Sequence, residues 1–231
     1  MDGFFMKEYY IENYMCDKNC NLLPSYALKL VQSVSTEHCE NMGVYEKISA
    51  RGQVFLISKQ LCTFERQIKA GETVVLHTAP ISTTHGIFPR MTYFKSAQGE
   101  QIGCCDARWF LLDTTKKRPM RKLDDDIDFP TVQMDVEKIA FPTSETEFLR
   151  DEVVRYSQID SNGHLNNTEY LNYLTDSVGD CEIRSFQVSY KKEILGGIVN
   201  LEMARIGNQV HLVGFSNGNK NFEILAELAE N

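Results

Sequence analysis

The order of apolar and polar positions predicts a helix followed by several strands in the first half of the chain. A strand is predicted at Glu8–Asn13 and an irregular turn at Asp17–Leu23. After Pro24, which suits a first helical position, apolar residues recur at helical spacing, and this helix should end before Gly43. The strand-like segments that follow are Gln53–Lys59, Leu61–Ile68, Thr73–Thr78, Phe88–Lys95 and Gln101–Leu112.

The second half repeats this plan in a shorter form. Val153–Gln158 resembles a strand, Asp160–Leu165 a turn, and Asn166 to about Val178 a helix with one apolar face. Asn166 and Glu169, three positions apart, resemble a capping box at the start of this helix. Strand-like segments follow at Ile183–Ile194, Val199–Ile206, Gln209–Phe215 and Phe222–Leu228.

A shift of 143 positions places Asp17–Leu22 on Asp160–Leu165, which is consistent with an internal duplication. Each half then has one long helix and one antiparallel sheet, so the pattern predicts the α+β class with each helix covering a sheet face. A basic run, Lys116–Lys122, and an acidic run, Asp124–Asp128, precede a proline-containing connection. We therefore expect a first half over residues 1–128, a linker over 129–148 and a second half over 149–231.

Composition narrows the classes of function that the chain can have. Its 231 residues are 42% hydrophobic and 24% charged, as is usual for globular proteins, and the net charge of −8 argues against general nucleic-acid binding. There is no apolar run of about 20 residues and no recognisable targeting segment, so a cytoplasmic protein without membrane spans is expected. The seven cysteines show no Cys-x-x-Cys pair, and no metal-ligand spacing is present, so neither disulfides nor a metal site is predicted.

The candidate chemistry lies in the turn before the second helix. Asp160, Asn162 and His164 alternate, so an extended chain would present a carboxylate, an amide and an imidazole on the same side. An imidazole transfers protons near neutral pH, and a nearby helix start can stabilise an oxyanion. The same residue types also occur in any turn before a helix, so spacing alone leaves a purely structural role open. The corresponding first-half turn has Asn21 where His164 stands.

Several motifs together resemble the acyl-ACP thioesterase family. The run Asp160-Ser161-Asn162-Gly163-His164-Leu165-Asn166-Asn167 is similar to the family's D-x-N-x-H-x-N-N block, and Tyr190-Lys191-Lys192-Glu193 is similar to a second block. In the first half the resemblance extends to Phe64-Glu65-Arg66 with Gly71-Glu72-Thr73-Val74, and to Ala107-Arg108-Trp109 with Leu111-Leu112-Asp113. The resemblance thus covers nearly the whole chain.

The resemblance implies a tandem (double) hot-dog fold, in which each half is an antiparallel sheet wrapped around its long helix. It implies a catalytic second half with the site residues Asp160, Asn162, His164 and Glu193, and a first half that shapes a tunnel for the acyl chain. The expected partner is acyl carrier protein, and no cofactor is expected. Many plant members have a cysteine where this chain has Ile194, which puts a Cys–His mechanism in doubt. The absence of a plastid transit segment favours a bacterial member.

Three alternatives to hydrolysis of acyl-ACP remain at this point. An acyl-CoA thioesterase or a hot-dog dehydratase could use the same acid–base groups, and an acyl-binding protein could keep the fold without activity. In a hydrolase, Glu193 or Asp160 would activate water, or Asp160 would attack the thioester directly. Basic residues of 116–122, with Lys191 and Lys192, either dock the acidic carrier or form a solvated face. Pairing of two chains into a homodimer is also open.

Overall fold

A computed structural model of the chain describes residues 3–136 and 138–229. These residues form an antiparallel sheet of eleven strands and three α-helices. In the first half, the elements are β1 (Phe5–Tyr10), α1 (Pro24–Asn41), α2 (Val44–Ala50), β2 (Gln53–Phe64), β3 (Thr73–Pro80), β4 (Ile87–Ser96), β5 (Gln101–Asp113) and β6 (Arg118–Met120). In the second half, they are β7 (Glu147–Val154), α3 (Tyr170–Val178), β8 (Ile183–Tyr190), β9 (Gly197–Ile206), β10 (Gln209–Ser216) and β11 (Asn219–Leu228).

The strand order confirms the duplicated plan. The sheet runs β1-β3-β4-β5-β2-β8-β11-β10-β9-β7, with β6 attached to β5, so the two halves have the same order outward from the central β2–β8 pair. That pair is antiparallel from Lys59 opposite Ser189 to Thr63 opposite Ser185. The two half-sheets therefore form one continuous sheet, in which β2 corresponds to β8 and β5 corresponds to β11.

The core fills the space between this curved sheet and the two long helices. Leu28 and Val31 of α1 and Leu171 and Leu174 of α3 are at most 2% exposed, and they belong to one apolar cluster that spans both halves. Burial of the helices' apolar faces against the sheet supplies the main stabilisation of such a layered fold. The α+β class is confirmed. Among the described residues, no helix is both long enough and apolar enough to cross a membrane.

Several predicted boundaries in the first half are wrong. The two segments Gln53–Lys59 and Leu61–Ile68 are a single strand, β2, whose register shifts at a bulge between Ile57 and Lys59. The first strand lies earlier than Glu8–Asn13, and the short helix α2 was not predicted. The prediction divided β2 into two segments at Gln60, which is polar. In the structure Gln60 is 6% exposed and lies inside the sheet.

The second helix is shorter than predicted, and its capping box is absent. α3 begins at Tyr170, because Asn166 accepts hydrogen bonds from the backbone and hydroxyl of Thr168 and thereby forms a separate turn. The carboxylate of Glu169 instead pairs with Lys29 of α1 at 3.0 Å and accepts a bond from Asn172.

Strand β7 ends at Val154 and a 3-10 turn follows, whereas β8 ends at Tyr190, four residues before the predicted limit.

The 129–148 segment runs along both halves of the sheet. Val132 forms a parallel bridge with Ile81, the ammonium of Lys59 donates to the carbonyl of Ile139 at 2.8 Å, and Ser144 hydrogen-bonds His211 at 2.8 Å. Since Lys59 belongs to the central strand pair, the connection crosses the sheet near the junction of the halves. Its last two residues already belong to β7.

His38, in the last turn of α1, predicts an acid sensitivity of the fold. Its ring stacks on Phe5 with centroids 5.2 Å apart, and its Nδ1 lies 3.1 Å from a guanidinium nitrogen of Arg90. Burial, and then the charge of Arg90, lower the pKa of His38 to about 4. The unfolded chain, with a pKa near 6.5 for this group, binds the proton more readily, so the stability that neutral His38 contributes is lost as pH falls from 6.5 towards 4.

We expect the wild-type protein to lose about 1–2 kcal/mol more unfolding free energy than His38→Gln between pH 7 and pH 4.5, after allowance for solvent screening of this half-buried group. Urea unfolding at several pH values measures the difference. His85→Asn is the control, since His85 is exposed and has the left-handed φ of +53° that asparagine tolerates. Equal pH dependence in wild type and His38→Gln would contradict the expectation.

Candidate functional site

The turn that carries three of the predicted site residues is closed by the carboxylate of Asp160. Its Oδ1 accepts hydrogen bonds from the backbone amides of Asn162 at 2.8 Å and His164 at 3.2 Å. The backbone amide of Asp160 donates to the carbonyl of His164 at 2.8 Å, and Gly163 has the left-handed φ of +81° that lets the chain reverse. The three residues therefore lie in a tight turn, as predicted, and not in an extended stretch that would present their side chains on one side.

His164 meets the fourth predicted residue, Glu193, which is 29 positions away in the sequence. Its Nε2 lies 3.3 Å from the Oε2 of Glu193, and the side chains are 29% and 59% exposed. The contact depends on a backbone hydrogen bond of 2.7 Å from Leu165 to the carbonyl of Ile194, which fastens the turn to the loop after β8. The structure thus brings a carboxylate and an imidazole together at a solvent-accessible edge.

Asn162 lies beside this pair in sequence and is exposed. Its side-chain amide forms no hydrogen bond with the residues that the structure describes, so both its donor and its acceptor face solvent or a ligand. The start of α3 is six residues beyond His164, because the Asn166 turn intervenes. The expected juxtaposition of the imidazole with the first helical amides is therefore not found.

Tyr190, the first residue of the second motif, links the site to the centre of the sheet. Its hydroxyl lies 2.8 Å from Oε1 of Gln60 and 3.0 Å from the carbonyl of Asn167, and its ring meets Tyr170 edge-on at 5.4 Å. Burial raises the pKa of Tyr190 well above its usual value, so the hydroxyl stays protonated. This residue ties β2, the end of β8 and the segment after His164 together.

Sequence reasoning missed Asn221 and Glu223, two residues of β11 that contact the loop carrying Glu193. Asn221 hydrogen-bonds the backbone of Lys191 and Lys192, and Glu223 binds the ammonium of Lys191 at 2.9 Å. The contacts join segments 30 positions apart through the pairing of β8 with β11. No local pattern in the sequence signals them, apart from the placement of polar residues in an otherwise apolar strand.

The first half contains the same turn without the acid–base pair. Oδ1 of Asp17 accepts from the backbone amides of Asn19 and Asn21, both at 2.8 Å, and Leu22 donates to the carbonyl of Ile68 at 2.8 Å. Because Ile68 corresponds to Ile194, the residue before it, Gln67, corresponds to Glu193. Two amide side chains, those of Asn21 and Gln67, thus stand where the second half has an imidazole and a carboxylate.

A small cavity of about 40 Å³ adjoins this first-half turn and is lined in part by Asp17, Asn21, Gln67 and Cys181. It has room for only one or two water molecules. Cys181 therefore lies beside the first-half turn, beyond the C-terminal end of α3. The nine residues of α3 span about 13 Å, which is shorter than the helix predicted from the sequence. This helix still separates Cys181 from the His164 turn.

Comparison with solved structures identifies the class of fold. An acyl-ACP thioesterase from Bacteroides thetaiotaomicron superposes with a TM-score of 0.86 at 16% identity, covering 98% of both chains. The 12:0-ACP thioesterase from Umbellularia californica gives a TM-score of 0.82 at 17% identity, covering 99% of this chain and 98% of that one. A comparison with curated protein sequences gives no match. The fold is therefore a tandem hot-dog, with the acid–imidazole pair in one half.

Family models identify the particular family. The acyl-ACP thioesterase N-terminal domain matches residues 2–129, and the acyl-ACP thioesterase C-terminal domain matches residues 143–224. The chain belongs to the acyl-ACP thioesterase family. It is accordingly a thioester hydrolase that acts on fatty acyl-ACP in fatty acid biosynthesis.

The two equivalent turns predict that Asp160 and Asp17 have the same structural role. Each carboxylate accepts two backbone hydrogen bonds, so Asp160→Ala and Asp17→Ala should each lower the free energy of unfolding by about 1–3 kcal/mol. Asp160→Asn and Asp17→Asn are the matched controls, because they keep the accepting oxygen and should recover most of the loss. Urea unfolding measures all four. A loss for Asp17→Ala without one for Asp160→Ala would show that Asp160 is not needed to form its turn.

Proposed function

We propose that Glu193 and His164 carry the acid–base chemistry of thioester hydrolysis, that Asn162 binds the thioester carbonyl, and that Asp160 shapes the turn. The observation that carries this proposal is the 3.3 Å contact between the imidazole and the carboxylate. It is specific to one half, since the equivalent first-half positions hold Asn21 and Gln67, which cannot exchange protons.

In the first step, the carboxylate of Glu193 takes a proton from water, and the water oxygen attacks the carbonyl carbon of the thioester. The carbonyl electron pair moves onto oxygen, and the amide of Asn162 donates a hydrogen bond to the resulting oxyanion. His164, beside Glu193, stabilises the carboxylate and shares the proton that it has gained. The negative charge is thus met by the amide of Asn162, while the proton is held between Glu193 and His164.

In the second step, the carbonyl reforms and the bond between carbon and sulfur breaks. Sulfur leaves with the bonding electron pair and takes the proton held by the Glu193–His164 pair. The products are the free fatty acid and the thiol of holo-ACP. The carboxylate and the imidazole return to their starting states, so no cofactor or metal is required for the balance of the reaction.

Direct attack by Asp160, which the sequence left open, is less well supported than water activation. One oxygen of Asp160 already accepts two backbone hydrogen bonds that hold the turn together. Asp17 makes the same two bonds in the half that has no acid–base pair. The arrangement is thus explained by turn formation, without a nucleophilic role for Asp160.

We further propose that the carrier docks beside Lys191 and Lys192. Lys192 is exposed, adjoins Glu193 and forms no ion pair with the residues the structure describes. In the other basic stretch, Lys116 pairs with Asp113 and Lys122 with Asp125, which partly cancels its charge. The division at 129–148 also remains a proposal, which rests on the charge runs and prolines of the sequence. A first half that shapes the acyl-chain tunnel is a proposal that rests on the family resemblance.

Glu193→Gln and His164→Ala should each lower kcat by ~10²-fold or more, the usual contribution of a positioned acid–base group. Because Glu193 is 59% exposed, Glu193→Gln should leave the melting temperature nearly unchanged. Release of free thiol from acyl-ACP measures turnover. The controls are Asn21→Ala and Gln67→Ala at the equivalent positions and Cys181→Ser, all expected to retain near-wild-type kcat. Wild-type turnover in Glu193→Gln, or equal losses at Asn21 and His164, would count against the proposal.

The carrier should be strongly preferred over coenzyme A. We expect kcat/KM to be at least ~10-fold higher for acyl-ACP than for the same acyl-CoA, a difference of about 1.4 kcal/mol. Lys192→Glu should reduce the value for acyl-ACP but not for acyl-CoA, and the reduction should fade at high salt. Lys116→Glu tests the other basic stretch in the same assay. Equal or reversed substrate preference in the wild type would overturn the expectation.

A further inference from the structure

We propose that Asn221 is a positioning residue that holds Glu193 within reach of His164, an inference that rests on the proposed role of Glu193. Asn221 lies near the start of β11 and is 2% exposed. Its backbone carbonyl accepts hydrogen bonds from the amides of Lys191 at 2.8 Å and Lys192 at 3.1 Å. Its side-chain nitrogen lies 3.3 Å from the carbonyl of Lys192 and 3.2 Å from that of Glu193. One residue thus contacts four backbone groups of the loop.

The loop needs such a contact because the sheet does not hold it. Strand β8 ends at Tyr190 and β9 begins at Gly197, so the segment between them lies outside the regular strand pairing. The backbone bond from Leu165 fixes its later part at Ile194. Asn221 fixes its earlier part up to the carbonyl of Glu193, so the backbone on both sides of the Glu193 side chain is held.

Glu223, two residues further along β11, supports the start of the same loop. Its carboxylate, 5% exposed, binds the ammonium groups of Lys191 at 2.9 Å and Lys220. Burial would raise the pKa of Glu223, but hydrogen bonds from Lys220 and Lys191 outweigh it and hold the pKa below its usual value. The carboxylate of Glu223, which binds Lys191, therefore stays charged at neutral pH.

The first half shows what the same loop looks like without the amide. There Glu65 donates to the carbonyl of Ile102 at 2.8 Å, which is the counterpart of the bond from Lys191 to Asn221. Ile102 is buried and has no group that could contact the following carbonyls. That loop is held instead by the pair Arg66–Glu72 at 2.9 Å, and it carries Gln67 in the place of Glu193.

This comparison separates folding of the loop from placement of the acid. An apolar residue is compatible with the loop backbone, as Ile102 shows, so the amide of Asn221 is not required for the fold. Its oxygen Oδ1 is buried and has no hydrogen-bond partner among the described residues, an arrangement that disfavours burial of the side chain. A stabilising function alone would favour an apolar residue here. The side-chain donor is therefore explained by its contact with the backbone of Glu193.

The test compares Asn221→Leu, which resembles the first-half residue, with Asn221→Ser, a smaller change that is expected to fold if the leucine variant does not. For each folded variant, kcat should fall by ~10-fold or more while KM for acyl-ACP changes by less than about twofold, because the acid is misplaced but the substrate contacts remain. Asn208→Leu, at a turn asparagine that donates to the carbonyl of Leu228, and Ile102→Ser are controls with unchanged kcat. Melting temperatures verify folding.

A double-mutant cycle with Glu193→Gln distinguishes positioning of Glu193 from a general structural effect. In the Glu193→Gln background, Asn221→Leu or Asn221→Ser should cause little further loss of kcat. Folded Asn221 variants with wild-type kcat, or losses that add in full to that of Glu193→Gln, would overturn the role of Asn221 and leave the proposed function intact. Wild-type turnover in Glu193→Gln alone would instead overturn the proposed function and, with it, the premise for Asn221.

Discussion

The antiparallel pairing of β2 with β8 is the contact on which the rest of the structure depends. Five residue pairs, from Lys59–Ser189 to Thr63–Ser185, join the two half-sheets into one. Tyr190, at the end of β8, binds Gln60 of β2 and the segment that follows His164. The loop bearing Glu193 starts directly after Tyr190. The contacts of Tyr190 therefore help to set the position of the Glu193 carboxylate relative to the His164 imidazole.

The two halves share the features that form the turn and differ at the side chains for which we propose an acid–base role. Both keep an aspartate that closes a turn and a backbone bond that fastens the turn to the following loop. The second half differs in chemistry at two side chains, where an imidazole and a carboxylate replace Asn21 and Gln67. It also differs at a third position, where Asn221, which contacts the backbone of the Glu193 loop, replaces Ile102. The same backbone turn can thus carry different side-chain chemistry in the two halves of the chain.

Sequence patterns predicted those parts of the molecule that depend on short-range periodicity. The apolar spacing after Pro24 gave the start and length of α1, and alternation located most strands. The prediction failed where tertiary contacts override local preference: Gln60 is polar but buried in mid-strand, and Asn166 forms its own turn instead of capping α3. The turn Asp160–Leu165 was predicted from residue types, although its closure by one carboxylate was not.

The long-range part of the site could not be derived from spacing. Nothing within the sequence indicates that Glu193 should meet His164, since this depends on the β2–β8 register and on the bond from Leu165 to Ile194. The resemblance to a family identified Glu193, but it did not identify Asn221, which belongs to none of the motifs. Residues that act on the backbone of another residue leave no periodic signal, and their identification requires the three-dimensional structure.

The proposed acid–base pair is accessible to solvent. The side chain of Glu193 is 59% exposed and that of His164 is 29% exposed. An exposed side chain, however, has many accessible rotamers and weak electrostatic interactions in water. Buried contacts made by the backbone of its loop reduce this freedom without removing the carboxylate from solvent. The buried polar residues of β11, Asn221 and Glu223, therefore order the loop that carries Glu193, while the carboxylate of Glu193 stays accessible to solvent.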